Sequence, residues 1–232
     1  MHVRRLDSIG HITYISDMDY RSRKYSLNQS FFSDIKTEAQ AYVLGYLFAD
    51  GCIRDQYTFS IGSKDIELIE LVRREMEANY KIYEHKKTVG EKVFICHELT
   101  MTSKPLIQDL VGLGCTKNKS YKELTIPQSL PDHLVSHFIR GYFDGDGGVC
   151  PSKPYGDLCV YFTGCLTLLS QIQKELESHA NVRHVKIQKH AAIYKLSYKG
   201  NRNAKRIREY IYNDASLYLE RKQRLIYSRN PK

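Results

Sequence analysis

The chain has 232 residues, 42% hydrophobic and 26% charged, a composition that supports a full globular core and argues against a disordered or fibrous chain. No apolar run reaches the roughly 18 residues of a membrane span, and Met1-His2-Val3-Arg4-Arg5 leads into no signal-type core. An intracellular protein with no membrane partner is therefore expected, in the cytoplasm or an organelle. Net charge is +9, and the six cysteines, at 52, 96, 115, 150, 159 and 165, form no CxxC pair and no zinc-like spacing, so they read as reduced small hydrophobes.

In chain order, residues 1–34 read as an N-terminal arm, with Arg4, Arg5, Arg21, Arg23 and Lys24 suited to a polyanion or simply to a loose terminus. Thr37-Glu38-Ala39-Gln40 is a capping box. It opens a helix that runs through Val43-Leu44-Gly45-Tyr46-Leu47-Phe48-Ala49-Asp50-Gly51. A strand follows with Tyr57, Phe59 and Ile61 on one face and Thr58 and Ser60 on the other. Then come an amphipathic helix carrying Ile66, Leu68, Ile69, Val72 and Met76, strands over 80–87 and 92–102, and a helix over 104–112. Thr125-Ile126-Pro127 through Pro131 reads as a linker.

The second half repeats the first. A helix beginning near Pro131-Asp132, with Asp132 as cap, leads into Ile139-Arg140-Gly141-Tyr142-Phe143-Asp144-Gly145-Asp146-Gly147. The strand at 158–162 and the helix carrying Leu166, Leu168, Leu169, Ile172 and Leu176 follow, the helix at an offset of 100 from its counterpart. The aspartates are offset by 96, so the second copy has four extra residues in its first hairpin, around Pro151-Ser152-Lys153-Pro154-Tyr155-Gly156. Strands over 182–190 and 192–199 and a helix over 203–213 complete the pattern. The fold class is thus α+β: two pseudo-symmetric αββαββα repeats, at 35–125 and 126–232.

The two motif segments carry the chemistry. Residues four apart share a helix face, so Gly45/Ala49 and Gly141/Gly145 form two strips poor in side chains that can pack backbone to backbone. That would bring Asp50 and Asp146 together. A carboxylate at a helix C-terminus faces unpaired carbonyls and a negative dipole, and the following Gly51 and Gly147 suit a left-handed helix-closing turn. Hard divalent cations relieve such crowding through oxygen ligands, including substrate phosphates. From Lys195 to Lys232, 11 basic residues stand against three acids, a clustered charge that suits nucleic acid.

With these residues in view, the chain resembles the LAGLIDADG homing endonucleases in their monomeric two-motif form. Matching features are both motif copies, Asn28-Gln29-Ser30-Phe31-Phe32 ahead of the first, and Lys119-Ser120 followed by Pro127. The resemblance implies motif helices packed at a pseudo-twofold axis and antiparallel sheets curved into a saddle over double-stranded DNA. It implies metal ligation by Asp50 and Asp146, with the Ala49 and Gly145 carbonyls beside them, and no catalytic role for Asp144. It also implies a basic residue near each centre, here Lys119 and Lys222, with Lys117 and Arg221 competing for those places. Ser63 and Thr163 match a position that organises water.

The expected activity is site-specific double-strand cleavage with Mg²⁺ or Mn²⁺, Ca²⁺ binding without cleavage, as in intron homing; intron RNA is a further partner the family allows. The alternative is a non-cleaving nucleic-acid binder on the same scaffold, such as a maturase or regulator. Base reading would fall to the solvent faces of the strands. Period-2 counting nominates Arg54, Gln56, Thr58 and Ser60 in the first sheet, and Lys186, Gln188, His190, Lys195 and Ser197 in the second. His133 and His137 lack the acid of an HExxH zinc site, and the calcium-loop echo at Asp144–Gly148 lacks its final acid, because Tyr155 stands there.

Overall fold

The computed structural model describes residues 3–6, 12–15, 24–117, 123–152 and 157–227. In chain order it contains the strands β1 (Val3–Leu6) and β2 (Ile12–Ile15), then α1 (Glu38–Asp50), β3 (Gly51–Ile53), β4 (Thr58–Ser63), α2 (Ile66–Glu75), β5 (Ile82–Val89), β6 (Lys92–Thr102) and α3 (Lys104–Gly112). The second half contains α4 (Val135–Asp146), β7 (Gly147–Ser152), β8 (Asp157–Gly164), α5 (Leu166–His179), β9 (Gln188–His190), β10 (Ile193–Lys199), α6 (Asn201–Tyr212) and α7 (Glu220–Tyr227). The two four-stranded sheets are antiparallel and share one order, β3-β4-β6-β5 and β7-β8-β10-β9. β1 and β2 pair as a separate hairpin.

The capping box forms as expected: the Gln40 N–H donates to Thr37 Oγ1 at 3.3 Å, and Gln40 Oε1 accepts from the Thr37 N–H at 3.0 Å. Asp132 does not cap α4. It begins a short 3-10 turn, Asp132–Leu134, with Pro131 at the cap position and no side-chain cap bond. The strand expected over 182–190 shrinks to β9, because Val182 is buried and the Gln173 amide holds the Val185 carbonyl at 2.6 Å, drawing this stretch onto α5. Helix α7 is an addition to the expected repeat.

Helices α1 and α4 lie side by side at the centre. Every residue from Ala41 to Phe48 is buried, as expected of a helix covered on all sides. A Cβ on Gly45 would stand 2.0 Å from the Phe138 carbonyl oxygen, and one on Gly141 would stand 1.9 Å from that of Tyr42. The two backbones touch at these glycines. Phe48 and Phe138 pack edge to face across the same seam, ring centres 5.2 Å apart.

A buried ion cluster ties the later chain to this seam. Arg140, with 0% exposure, donates to Glu38 Oε1 at 2.6 Å, to the carbonyls of Leu217 and Ile211 at 2.7 and 2.8 Å, and to His137 Nδ1 at 2.8 Å. Arginine has no acceptor, so His137 Nδ1 is the unprotonated nitrogen. Burial would raise the Glu38 carboxyl, but bonds from Ser216 and Leu217 outweigh it and hold the group below its usual range. Removing one member of such a cluster strands the others. Arg140→Met is expected to lose about 3 kcal/mol of stability, read as a lower urea midpoint at unchanged m-value.

Candidate functional site

Asp50 and Asp146 are the last residues of α1 and α4, and each leads straight into the first strand of its sheet. A Cβ on Gly145 would meet the Ala49 Cβ at 2.3 Å and Asp50 Oδ2 at 3.2 Å, so the Asp50 carboxylate reaches across the seam to the other helix. Asp146 sits half-buried, its main-chain carbonyl accepting the Thr163 hydroxyl at 2.8 Å. Tyr142 feels both carboxylates: burial first, then Asp146, then Cys165 and Asp50 push its phenol upward. Tyr46, its counterpart in the first repeat, is raised by burial and then by Asp50.

Neither Gly51 nor Gly147 takes the left-handed conformation expected from sequence; φ is −69° and −100°. The glycines are needed because the strand doubles back against the last helical turn. A Cβ would lie 2.6 Å from the Leu47 carbonyl oxygen at Gly51, and 2.3 Å from Phe143 Cδ2 at Gly147.

An open cleft of about 610 Å³ lies here, lined from the first repeat by Asp50, Ser63 and Lys64 and from the second by Gly145, Arg221 and Lys222. Lys222 is buried, its ammonium donating to the carbonyls of Asp144 and Gly147 at 2.7 Å, Phe143 at 2.8 Å and Gly145 at 3.1 Å. It thus satisfies the orphaned carbonyls at the end of α4 and offsets the dipole there. Its three N–H bonds are shared among these four carbonyls, so Lys222 holds the helix end. Burial draws its pKa down to about 8, against the carboxylates of Asp144, Asp50 and Asp146. Lys222→Met is expected to cost about 3 kcal/mol, the scale of an uncompensated charged hydrogen-bond set, read by chemical denaturation.

Asp144 points inward. Its Oδ2 accepts the Tyr42 hydroxyl at 2.7 Å and the Leu219 N–H at 2.8 Å, and burial pushes its pKa up to about 6. Lys119 lies outside the described residues. Lys117, its competitor, is exposed and acts on Asp55, whose carboxyl is held low first by the Tyr57 N–H. Arg221 is the exposed cation of the second site, forked onto Asp65 of the first repeat at 3.0 and 2.7 Å. Ser63 Oγ accepts the Asp65 N–H at 3.1 Å.

A family model described as the LAGLIDADG-like domain matches residues 134–212, the stretch from the start of α4 to the end of α6. The homing endonuclease I-WcaI, bound to its DNA recognition sequence, is similar over 85% of this chain and 91% of its own, with a TM-score of 0.60 and 12% identity. The chain is a two-repeat LAGLIDADG-fold protein. The N-terminal LAGLIDADG domain of DUF199/WhiA is also similar, with a TM-score of 0.53 and 13% identity over 85% of this chain and 93% of that domain. Full-length DUF199/WhiA from Thermatoga maritima gives 0.50 and 15%, covering 88% and 66% respectively. No curated protein matches the chain.

In LAGLIDADG terms, the seam residues Gly45, Ala49, Gly141 and Gly145 stand at the α1–α4 contact. The sheet faces turned from the core carry most of the nominated reading residues. Arg54 is exposed but bound to Glu98 and to Ser60 Oγ. Ser60 itself is buried beneath that guanidinium. Gln56 is exposed in the loop after β3, and Thr58 is half-buried opposite Thr102. Gln188 pairs with Lys195, and His190 with Ile193; Ser197 lies opposite Tyr161. Lys186 precedes β9 in irregular backbone.

The described members of the basic cluster are spread over β10, α6 and α7 and the residues beside them. Arg206 and Arg208 belong to α6, whose Ala204, Ile207 and Ile211 are buried. Arg206 binds the Asn181 carbonyl at 2.7 Å, and Arg208 stacks over the Tyr227 ring at 4.3 Å. No pattern along the chain announces the pairing of Arg140, Lys222 or Arg221; the one signal is an arginine inside the apolar run Phe138–Tyr142.

Proposed function

We propose that this protein is a divalent-metal-dependent endonuclease that cuts both strands of a long, partly palindromic DNA site as a monomer. The observation that supports the proposal is the place of Asp50 and Asp146 as the last residues of two helices in backbone contact, with Asp50 Oδ2 reaching toward Gly145. Among the described residues no three His, Cys, Asp or Glu side chains converge on one point. The donors present are hard oxygens, namely two carboxylates with main-chain carbonyls beside them, and these fit Mg²⁺ or Mn²⁺ completed by water and phosphate. Asp50 and Asp146 would hold the cation, with the carbonyls of Ala49 and Gly145 as further donors; when bound it activates water and stabilises the leaving oxygen. Ca²⁺ fits the same donors and serves as the ion for binding without cutting.

The chain's own residues do the rest. Thr163 and Lys222 fix the end of α4 from two sides, holding Asp146 in place. Lys64 and Arg221 give the cleft positive charge for a phosphodiester. Thr58 and Arg54 in one sheet, and Lys195, Ser197, Gln188 and His190 in the other, face the major groove. The similarity of I-WcaI in its DNA-bound form agrees with this reading.

The commitment of Lys222 to main-chain carbonyls favours a second reading, a nucleic-acid binder that does not cut and could include intron RNA among its ligands. One experiment separates the two: selection from a randomised duplex library, with Mg²⁺ and with Ca²⁺, followed by sequencing of cut ends. Cleavage of a selected site in Mg²⁺ only is expected; a duplex bound tightly but never cut would establish the binder. Under either reading, raising salt from about 50 to 200 mM should weaken binding by about 10³-fold for six phosphate contacts.

A further inference from the structure

Strands β7 and β8 run antiparallel in a register that sets Cys150 directly opposite Cys159. Both are free thiols. Residues directly opposite in an antiparallel pair project to the same face with Cα atoms about 4.5 or 5.5 Å apart, according to the kind of pair. A disulfide spans Cα separations of about 4.4 to 6.8 Å, so either kind of pair lies within reach. Among the described residues no other two cysteines stand opposite each other. Cys52 faces Ser60 and Cys96 faces His85, with β4 between them, and Cys165 bonds to the Leu124 main chain at 3.2 Å.

The pair lies on the sheet face turned from the core, since the alternate residues Leu158 and Val160 are buried. Its row continues to Lys199 on β10, opposite Cys159. In the next rows Lys195 places its ammonium 3.9 Å from the centre of the Tyr161 ring. The repeats align through Gly51 opposite Ile61 and Gly147 opposite Phe162. By that alignment Cys150 and Cys159 occupy the places of Arg54 and Thr58. A pair of cysteines thus stands where the first repeat presents polar groups.

We propose that Cys150 and Cys159 are a redox-active pair that closes to a disulfide within the sheet when a low-molecular-weight disulfide such as glutathione disulfide is in excess. Cys150 is the more exposed of the two and acts first. Its thiolate attacks one sulfur of glutathione disulfide, forming a mixed disulfide and releasing one glutathione thiolate. Cys159 then gives up its proton, and its sulfur displaces the second glutathione. Two protein thiols are oxidised, one glutathione disulfide is reduced to two glutathione molecules, and the two protons pass to them. The bond cross-links the hairpin that begins one residue after Asp146. Its effect on DNA rests on the function proposed above; its formation does not.

The test treats the reduced full-length chain with glutathione disulfide, blocks remaining thiols, digests without reductant and maps linkages by mass spectrometry. The Cys150–Cys159 peptide should accumulate with loss of two thiols per chain and revert with dithiothreitol. Amide exchange across 147–164 should slow on oxidation in the wild type, and not in Cys150→Ser or Cys159→Ser. Wild-type protein in which both cysteines remain blockable, carry only glutathione adducts, or bridge to other cysteines would overturn the proposal. Because the linkage map is made on the wild type, a variant that fails to fold leaves the test intact. DNA cleavage is read on the reduced and oxidised samples separately, so loss of the endonuclease reading and absence of the disulfide give different results.

Discussion

Asp50→Asn and Asp146→Asn should each lower cleavage of a selected duplex by about 10³-fold or more while leaving its binding within a few-fold. The estimate follows the scale for losing one group that stabilises developing charge in a reaction. Asparagine keeps the size and one oxygen of the side chain but removes the negative charge that would attract a divalent cation. Both carboxylates crowd the ends of α1 and α4, where the helix dipoles oppose them, so each substitution also relieves repulsion. The variants are therefore expected to unfold at an equal or higher temperature than the wild type. Loss of cleavage with gain of stability distinguishes a chemical role from a structural one. On the proposed reading each aspartate serves one strand more than the other, so single variants should accumulate nicked duplex before linear product. Unchanged double-strand cleavage in both variants would remove the proposed site.

Gly45→Val and Gly141→Val should each cost more than about 4 kcal/mol, at the far end of what single substitutions do. At both positions the first added carbon would fall within 2.0 Å of a carbonyl oxygen on the facing helix, so the contact is with backbone and no rotamer relieves it. The helices would have to part by more than an ångström. They cannot do so alone, because Arg140 ties α4 to Glu38 of α1 and Tyr42 ties α1 to Asp144 of α4. The loss should appear as a fall in the urea midpoint, or as failure to recover folded protein. Valine at exposed Gly112, where nothing stands within 4 Å of an added Cβ, is the control and should cost about 1 kcal/mol or less. Equal midpoints for the seam and control variants would show that α1 and α4 are not in backbone contact.

Much of the scaffold was legible because it rests on local rules. The Thr37–Gln40 box, the small-residue spacing and the offset repeats depend on neighbours three to five positions away or on copied pattern, and the structure reproduces them. Where the expectation failed, a contact that periodicity does not encode decided. The stretch 182–187 alternates like a strand, yet Gln173 of α5 captures its backbone. Ser60 alternates outward, yet Arg54 closes over it. Gly51 and Gly147 looked like left-handed turns, and the reason they are glycine is instead the close approach of each strand to its own helix. Charge was the least legible property, since counting 11 basic residues near the C-terminus says nothing of which side of the second sheet each one occupies.

Two repeats, a helix seam and a pair of aspartates at its end are thus written along the chain. Periodicity and spacing are inherited along the chain and need no third dimension to be read. The closed fold sets what surrounds those aspartates. It placed Lys222 against the carbonyls that end α4, Arg221 on Asp65 of the other repeat, and Asp144 under Leu219 rather than beside Asp146. Each contact joins residues more than 70 positions apart. The physical reason is that the orphaned carbonyls and buried carboxylate at a helix end must find partners, and which chain segment supplies them depends on how the whole molecule closes.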